Sequence, residues 1–577
     1  MTSNISFGNI QLDGYTARLF GTSSGIDTDQ LIQGLVEAKR LPAVRLETKI
    51  TENEARLAAF EELRGLLSDL RSAVAGLRNP PGYFGIDDNL FETKDVFFSS
   101  DTTTSPAELL AVSASNRAQA GTFDLVVERL ATAHKLSSDS ASASDQLLKD
   151  AFNGGATFSG TFSIGLAGGT TADVTVDGDM DIYDLRDAIN AVSADTKVSA
   201  SVLKVSDTDY RLVLSAQETG KDIQFTAVSG DPVTDIVGFT TSGGTAIKNE
   251  LQSAQTARIQ LDGVVIERDS NVIDDALEGI TLNLFKADSA TTVTVSVERS
   301  AASVKQAISD FVDAYNAFRD FVEIHRQIDD AGEVAEDAVL FGDRTLREIE
   351  SAVSSIVTGS VDGLAAGEPD ALSDIGITMD ESNRLVIDES KLDAALVSDL
   401  DGVRKVFEFT FSASSPELSA YTRTNALSDT SFTVDIVDAD GDGVIESATI
   451  DGIAADVSGG SITGVAGTPY EGLTMIWTGS GSTSIQVDVS QGLADRLYNA
   501  LDSALDELDG SLTQRIDDLE AENARYEEEI ARIDQRVETF RQSLITKFAA
   551  LEEQLALLDT MLTQVRSAAE AMFSSDK

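Results

Sequence analysis

The stretch "LEAENARYEEEIARIDQRVETFRQSL", residues 519–544, contains neither glycine nor proline, and its apolar side chains recur at steps of three and four. This spacing is typical of an α-helix with one apolar face. Charged and amide side chains fill most other positions, so the helix needs a partner to bury that face. The partner is an antiparallel return of the chain, the helix predicted at 42–78, or another subunit. The apolar positions are Leu519, Tyr526, Ile530, Ile533, Val537, Phe540 and Leu544.

The apolar stripe continues past residue 544 with its register shifted by one position. A step of 3-4-4 at this point is a stutter, which locally unwinds a supercoil. About sixty helical residues span roughly 90 Å at about 1.5 Å per residue. The chain offers few partners for the last part of so long a helix. The stripe there consists of Phe548, Leu551, Leu555, Leu558, Leu562 and Val565.

The N-terminal end also carries helical stripes. Asp27, with Gln30 three residues later, predicts the cap of a helix that bears Leu31, Ile32 and Leu35. Since the residue before a proline avoids helical geometry, we expect this helix to end before Pro42. A second helix is predicted over 42–78, ending at "NPPG" (79–82). Its stripe includes Leu46, Ile50, Leu57, Phe60, Leu67, Leu70, Val74 and Leu77.

The middle of the chain alternates between β and helical patterns. From about 93 to 300, and again over 408–490, apolar residues recur every second position, which indicates strands. Asp-Gly pairs at 177–178 and 262–263 predict tight hairpin turns. Helices are predicted at 182–192, 302–324 and 345–357, and from about 492 to the end.

These patterns predict an α+β multidomain protein. A helical, coiled-coil leg is built from both chain termini and a central helical segment, and antiparallel β-rich head domains are inserted into it. The predicted segments are a terminal segment disordered in the monomer (1–40), an N-terminal leg helix (41–80), a β-rich head domain (81–133 plus 254–300), a second head domain inserted in the first (134–253), a helical leg domain (301–407), an additional β-rich insert (408–490), a C-terminal leg coiled coil (491–545) and a terminal helix disordered in the monomer (546–577).

Composition excludes several classes of function. The net charge of −54 argues against nucleic-acid binding, since phosphate contact needs a basic surface. Cysteine is absent, so disulfides and thiolate sites are excluded. No run of 18 apolar residues predicts membrane insertion, and the first twenty residues do not resemble a secretory signal peptide. His134 and His325 are far apart, Trp477 is the single tryptophan, and we find no catalytic constellation and no cofactor motif.

One acidic loop has the spacing of a calcium site. "DADGDGVIES" (438–447) places Asp438, Asp440 and Asp442 before a glycine, as in the first half of an EF-hand loop. The twelfth position, which needs a glutamate, is Thr449. A polar β-turn with exposed acids is therefore favoured over a weak, structural calcium site.

Several stretches, in order, resemble the flagellar hook-associated protein 2 family, the filament cap proteins. They are "GTSSGIDTDQLIQGLVEAKRLPAVRLETKI" (21–50), "GTFDLVVERLATAHKL" (121–136), "LRDAINA" (185–191), "YRLVLSAQETG" (210–220), "DGVVIERDSNVIDDALEGITLNL" (262–284), "FVDAYNA" (311–317), "LSDIGITMDESNRLVIDESKLDAAL" (372–396) and the segment 515–561. Residues 408–490 match this family least and resemble an extra insert.

The resemblance implies a non-enzymatic assembly factor at the distal tip of a bacterial flagellum. Family members form a ring, often a pentamer, that retains exported flagellin and promotes its folding and insertion. The implied partners are other copies of the chain, flagellin, hook–filament junction proteins and an export chaperone at the C-terminal region. Export is expected through the flagellar type III channel, without a cleaved signal peptide. The alternatives are a flagellin-like or hook–filament junction protein, and a secreted enzyme or polysaccharide-binding protein with helical stalks.

Under this hypothesis the chain covers the 519–544 stripe itself, mainly through the 42–78 helix. The predicted intrachain coiled coil comprises Leu57, Phe60, Leu67, Leu70, Ile530, Ile533, Val537 and Phe540. The outer stripes would meet other subunits, flagellin or the chaperone. The residues predicted for those contacts are Leu31, Ile32, Leu35, Leu551, Leu555, Leu558, Leu562 and Val565.

Overall fold

A computed structural model shows that the chain forms two compact units. The helical unit comprises Met1–Arg78 and Ala307–Lys577, and the head unit comprises Asn79–Gln306. Both combine helices with antiparallel strands, which confirms the predicted α+β multidomain class. The structure describes residues 10–13, 16–19, 27–82, 85–241, 244, 246–329, 331–423, 427 and 429–574.

The N-terminal part of the helical unit contains one long helix. Strands β1 (Ile10–Asp13) and β2 (Thr16–Leu19) form a hairpin, and α1 runs over Thr28–Ala75. The Asp27 carboxylate accepts a hydrogen bond from the Gln30 N–H, as the capping pattern predicts. Much of 1–26, and 575–577 at the other end, lies outside the described residues. The predicted monomer disorder of 1–40 and 546–577 stays a prediction.

The predicted helix break before Pro42 is wrong, because Pro42 lies inside α1. A proline within a helix removes one hydrogen bond and costs about 3 kcal/mol. Here Pro42 is on the exposed side of the helix, while its neighbour Ala43 is fully buried against Ile533 and Val537. The helix therefore continues past Pro42, and the packing of Ala43 on α13 offsets the cost of the proline.

The head unit consists mainly of short strands. In chain order its elements are α2 (Gly85–Asp88), a 3-10 turn (Leu90–Glu92), β3 (Lys94–Ser100), α3 (Pro106–Leu109), β4 (Leu110–Ala114), β5 (Gly121–Arg129), β6 (Ala133–Ser137), α4 (Leu148–Phe152), β7 (Ser159–Leu166), β8 (Thr171–Asp177), α5 (Ile182–Ala191), α6 (Ser193–Thr196), β9 (Val198–Ser206), β10 (Asp209–Thr219), β11 (Ile223–Gly230), α7 (Val233–Val237), β12 (Thr240–Thr241), β13 (Ala246–Ile247), β14 (Glu250–Gln252), β15 (Ala257–Leu261), β16 (Val264–Arg268), β17 (Val272–Leu277), β18 (Ile280–Leu284) and β19 (Asp288–Arg299).

Two separate cores hold the head unit together. The first lies between the sheets β16-β15-β5-β19-β3 and β17-β18-β4, whose strands come from both ends of the unit. The second core lies within the intervening chain, between the sheets β14-β6-β10-β9 and β11-β7-β8 and the helix α5. The strands around the second core thus lie, in sequence, between the strands that surround the first.

One of the two predicted Asp-Gly hairpins is present. Asp262 and Gly263 both have positive φ and join β15 to β16 in a two-residue turn, the geometry that favours this pair. The pair at 177–178 is not a hairpin, since β8 ends at Asp177 and the chain continues into α5. The Asp177 carboxylate instead accepts a hydrogen bond from the Asp179 N–H.

The remainder of the helical unit alternates helices with one large β insert. Its elements are α8 (Ala301–Ile324), α9 (Arg344–Thr358), a 3-10 turn (Leu372–Ile375), β20 (Ile377–Met379), β21 (Leu385–Ile387), α10 (Glu389–Ser398), α11 (Leu400–Phe407), β22 (Phe409–Ala413), β23 (Leu418–Arg423), β24 (Ser431–Val437), β25 (Ser447–Ile450), β26 (Ile453–Ser458), β27 (Ser461–Thr463), β28 (Leu473–Trp477), β29 (Thr483–Gln491), α12 (Leu493–Leu505) and α13 (Ser511–Ser574).

The strands of the insert form one antiparallel sheet, in the order β22-β29-β24-β25-β26-β27-β28-β23. Its two end strands, β22 and β23, contact each other, so the sheet curls around a single core. Trp477, Phe432 and Met475 are buried in that core. None of the helices in the described part of the chain combines the length and apolar character that a membrane crossing requires.

The predicted single helix from about 492 to the end is wrong, because it is interrupted between α12 and α13. The Asp506 carboxylate accepts hydrogen bonds from the N–H groups of Leu508 and Asp509, which replaces helical bonds by a turn. Gly510 follows, and α13 begins at Ser511. The interruption allows α12 and α13 to pack on different parts of α1.

A buried charge cluster joins the insert to the helices. Asp495 of α12 is fully buried and accepts hydrogen bonds from Arg78 Nε (3.1 Å), Arg423 Nε (3.0 Å) and Gln491 Nε2 (2.9 Å). Arg423 Nη2 also donates to the Arg78 carbonyl at 3.0 Å. Burial lowers the pKa of Arg423, and the Asp495 carboxylate opposes that shift. The cluster therefore ties the end of α1, strand β23 and α12 at one point.

We expect the substitution Asp495→Ala to destabilise the helical unit by about 3–5 kcal/mol, because it removes the buried carboxylate to which two buried guanidinium groups donate. The control is Asp502→Ala, which removes the partially exposed Arg71–Asp502 ion pair and should cost less than about 1 kcal/mol. Urea unfolding of both variants measures the difference. Equal, small losses would show that the cluster contributes little.

Candidate functional site

The two ends of the chain form an antiparallel helical hairpin, which we call the leg hairpin (α1 with α13). Ile32 packs against Ile545, and Ala43 packs against Ile533 and Val537. Nearer the other end, Asn53 Nδ2 donates to Asn523 Oδ1 at 3.0 Å. Paired residue numbers add up to about 577 along the hairpin, so the register is constant over these contacts.

Polar side chains flank the seam of the leg hairpin. Arg40 Nε lies 2.9 Å from Asp534 Oδ1, and Arg40 Nη2 lies 2.6 Å from Glu47 Oε1. The hydrogen bond to Asp534, and then that to Glu47, raises the pKa of Arg40. The ammonium of Lys49 lies 5.2 Å from the centroid of the Tyr526 ring. The Arg40–Asp534 and Lys49–Tyr526 contacts join side chains on facing turns of α1 and α13, whereas the Arg40–Glu47 contact lies within α1.

Asn53 is a polar residue of α1 that is buried in the seam. It is 4% exposed, and its Nδ2 donates to Asn523 Oδ1 at 3.0 Å and to Glu522 Oε2 at 3.4 Å. A buried amide pair in a helical seam costs stability but favours the register in which the two amides meet. The pair therefore favours this register of α1 and α13 over registers shifted by a helical turn.

Apolar side chains become more exposed toward the end of α13. Around Ile32 and Ile545 the neighbouring apolar residues Val36, Leu544 and Phe548 are only partly buried. Farther along α13 a set of apolar side chains is exposed, with Leu562 at 66%. We call this set the distal stripe; it consists of Leu551, Leu557, Leu558, Met561, Leu562 and Val565.

The residues predicted for contacts with other proteins differ in exposure. Leu31 and Leu35 on α1 are exposed, whereas Ile32 is buried on Ile545, and the assignment of all three to such contacts stays a prediction. Of the predicted α13 residues, Leu551, Leu558, Leu562 and Val565 are exposed and Leu555 is partly buried. Leu557 and Met561 were missed, although "LALLDTML" (555–562) shows apolar residues at adjacent positions, which widen the stripe.

The eight residues predicted for the intrachain coiled coil do not form one contact set. Ile533 and Val537 meet Ala43, and Ile530 lies partly buried beside them. Phe540 is partly buried, with the Lys39 ammonium 6.0 Å from its ring centroid. Phe60, Leu67 and Leu70 are fully buried and Leu57 is partly buried farther along α1. There α1 lies against the start of α13 and against α12, as the Arg71–Asp502 bond shows.

The acidic loop between β24 and β25 brings the carboxylates of Asp438, Asp440 and Asp442 within 4.8 Å of one another. The buried Asp438 accepts hydrogen bonds from the N–H groups of Gly441, Gly443 and Gly481, at 2.8, 3.0 and 2.7 Å. The bond from Gly481 is the main cause that lowers the pKa of Asp438. Thr449 is paired within the sheet and cannot serve as a twelfth-position ligand. Backbone N–H groups thus already bind the Asp438 carboxylate. The calcium site stays a prediction.

Both histidines are buried. His134 is buried, and its Nδ1 accepts a hydrogen bond of 2.7 Å from the Ile223 N–H, which is a structural role within the head unit. His325 is buried against Phe321, with ring centroids 4.4 Å apart, and burial lowers its pKa.

We expect Val537→Ala to destabilise the leg hairpin by about 1–2 kcal/mol, because it removes buried methyl groups opposite Ala43. Leu558→Ala, in the distal stripe, should leave the stability of the monomer within about 0.5 kcal/mol of the original value. Thermal or urea unfolding monitored by helical circular dichroism distinguishes the two. A comparable loss from Leu558→Ala would mean that the chain itself covers the distal stripe.

We expect Asp438→Ala to lower the midpoint of thermal unfolding of the insert, since three backbone N–H groups lose their acceptor. Asp440→Ala is the matched control, because Asp440 accepts one long bond, from the Asp442 N–H at 3.3 Å. Calcium and chelator should both leave the midpoint of the unchanged protein where it is. A calcium-dependent rise that Asp440→Ala abolishes would instead establish an ion site.

Comparisons with known proteins agree with this architecture. A family model described as "Flagellar hook-associated protein 2 C-terminus" matches residues 254–560, and one described as "Flagellar hook-associated protein 2 N-terminus" matches residues 24–134. A third, "Flagellin hook IN motif", matches residues 161–218, within the second head core. Together these matches include most of the head unit and most of the leg hairpin.

Curated relatives carry the same description. Flagellar hook-associated protein 2 of Salmonella typhimurium is 33% identical over 235 residues, which is 40% of this chain and 49% of that protein. The Escherichia coli K12 protein is 29% identical over 394 residues, covering 66% of this chain and 78% of that one. The match thus spans about half the length of the Salmonella relative and about three quarters of the Escherichia coli relative.

Among solved structures, the D1-D2-D3 domains of the flagellar cap protein FliD from Escherichia coli are 26% identical, with a TM-score of 0.48. That match covers 60% of this chain and 89% of the other. FliD (HAP2) from Pseudomonas aeruginosa is also 26% identical, covering 38% of this chain and 98% of that one, with a TM-score of 0.31. Since the C-terminal family model alone matches more than half of the 577 residues, the chain belongs to the flagellar hook-associated protein 2 family.

Proposed function

We propose that this protein is a non-enzymatic cap at the tip of a bacterial flagellar filament. Copies assemble into a ring, pentamer-like in size, that retains exported flagellin and promotes its folding and insertion. Family membership supports this role, and relatives are described as flagellar cap proteins. The single observation that carries the proposal to this chain is the exposure of the distal stripe on α13.

The distal stripe supplies a physical reason for binding. Each aliphatic side chain of the stripe gains about 1.5–3 kcal/mol when it is fully buried. Neighbouring cap subunits, flagellin, hook–filament junction proteins and the export chaperone would cover the stripe in turn. Part of the gain is offset by the entropy lost when a terminal segment becomes ordered. Contacts of this kind remain exchangeable, as repeated insertion of flagellin beneath a cap requires.

The proposed location is the flagellar tip, outside the cell, reached through the flagellar type III channel. An unfolded passage suits a chain without cysteine, since no disulfide has to form or break. The alternative is a flagellin-like or junction protein. The match to the flagellin hook IN motif is compatible with both functions, whereas the two hook-associated protein 2 matches favour the cap.

We expect the double substitution Leu558→Asp and Leu562→Asp to abolish filament growth, because buried carboxylates are disfavoured in an apolar contact. Electron microscopy of filaments in a strain without the native gene product, complemented with the variant, measures the effect. Circular dichroism should show an unchanged monomer, since both residues are exposed.

The matched control is Thr560→Asp with Ser567→Asp, which adds the same two charges on the opposite, exposed face of α13. This control should support normal filaments. Normal growth with the leucine variant, or equal loss with both, would contradict the proposed role of the distal stripe. Labelled protein along the shaft rather than at the tip would favour the junction alternative.

A further inference from the structure

The second head core contains a sheet whose two end strands have opposite charge and free edges. The strand order is β14-β6-β10-β9, so β14 pairs only with β6 and β9 pairs only with β10. A strand end of this kind presents N–H and C=O groups that another strand can pair with. The following inference rests on the proposed function, because it names the surface through which copies of the chain would form a ring.

The outer edge of β9 can be assigned residue by residue. Asn190 donates to the Ala200 carbonyl at 2.9 Å and accepts from the Ala200 N–H at 2.8 Å, so its amide covers the edge there. Because strand residues alternate in direction, Val202 and Lys204 point their N–H and C=O groups toward the same edge. Within the described residues, no hydrogen bond to those backbone groups is present.

The outer edge of β14 is assigned in the same way. The Asn249 carbonyl accepts the Ser137 N–H at 2.9 Å, which directs that residue toward β6. The next residue, Glu250, therefore points its backbone N–H and C=O away from the sheet. The backbone groups of Lys204 on β9 and of Glu250 on β14 thus point outward from the sheet. The side chain of the first is a cation and that of the second is an anion.

Apolar side chains accompany both edges. Leu203 is 50% exposed and Val205 is 55% exposed on β9, and Leu251 is 55% exposed on β14. The ammonium of Lys204 pairs with Asp207 at 2.8 Å, but the Asp207 side chain is 95% exposed, so this pair is weak and exchangeable. Glu250 Oε1 lies 3.3 Å from His134 Nε2 and still has a partially exposed carboxylate.

Strand directions decide how two copies can meet. Each neighbouring pair in the order β14-β6-β10-β9 is antiparallel, so β9 and β14 run in opposite directions. A second copy in the same orientation therefore presents β14 antiparallel to β9 of the first. If Lys204 lies opposite Glu250, then Leu203 lies near Leu251, at the register shift between Glu250 and Gln252. Charge and apolar contacts are satisfied together in this one register.

We propose that β9 of one copy pairs with β14 of the next, in the register Lys204–Glu250, and that this head-to-tail contact closes the ring. Contacts between two different surfaces of identical chains generate rings when the rotation closes. The occupant of each edge is thus a second copy of this chain.

A disulfide trap tests the pairing directly, because the chain has no cysteine of its own. The double substitution Leu203→Cys and Leu251→Cys places one thiol on each edge. Three strand spacings separate the edges within one copy, about 14 Å, so the two thiols cannot join inside a chain. Under mild oxidation we expect a ladder of covalent oligomers on non-reducing gels, with at least tenfold more material above the dimer than in either single variant.

The matched control is Val228→Cys with Leu251→Cys, which moves one thiol to the exposed part of β11 and should give no ladder. Circular dichroism of each variant establishes that it is folded. Absence of a ladder from the folded double variant, a ladder from the control, or efficient dimers from Leu203→Cys alone would overturn the pairing. Filament growth that persists without a ladder would reject this surface and leave the cap function in place.

Discussion

The antiparallel seam between α1 and α13 is the contact on which the helical unit depends. It joins the first and last helices of a chain whose intervening residues include both head cores and the β insert. Its apolar contacts are sparse, and Ala43 and Ile32 are the buried aliphatic residues of α1 in the two outer clusters. A seam of this kind gains specificity from polar marks, here the Asn53–Asn523 amides and the Arg40 ion pairs. It can therefore hold register without the strength of a full apolar core.

Where the β insert joins the helices, the contact consists of buried charged groups instead. The insert leaves and re-enters the helical unit beside Asp495, where two arginines and one carboxylate are buried together. Such a cluster contributes little net stability compared with apolar packing, but breaking it is costly. It fixes where the insert sits on the helices. A cap protein can thus combine a rigid joint near its β domains with a loosely covered helical tip.

The acidic composition limits how copies of the chain can associate. A net charge of −54 makes copies repel each other over distances comparable with the Debye length, about 8 Å at physiological ionic strength. Assembly then needs contacts that are short-ranged and directional. Exposed aliphatic residues on α13 and open strand edges with opposite charges in the head unit are contacts of that kind. Repulsion elsewhere disfavours other modes of association.

The sequence by itself determined the local elements and their order. Steps of three and four and steps of two reflect geometry between near neighbours, so the helices at 302–324 and 345–357 and both β regions follow from residue spacing. The same spacing identified the apolar face of α13 and most of the distal stripe. A resemblance spread over ordered segments indicated the family. These inferences do not depend on which distant segment packs against each face.

Only the tertiary structure decided which faces meet. Ala43, a small and inconspicuous residue, is the partner of Ile533 and Val537, and its packing carries α1 past Pro42. Ile32 is buried while its neighbour Leu31 is exposed, a distinction set by the position of α13. Arg423 and Asp495 meet Arg78 although more than 300 residues separate them from it in the chain. The reason is physical: spacing along the chain records which side chains share a face, whereas burial depends on complementary shape and charge in a distant segment.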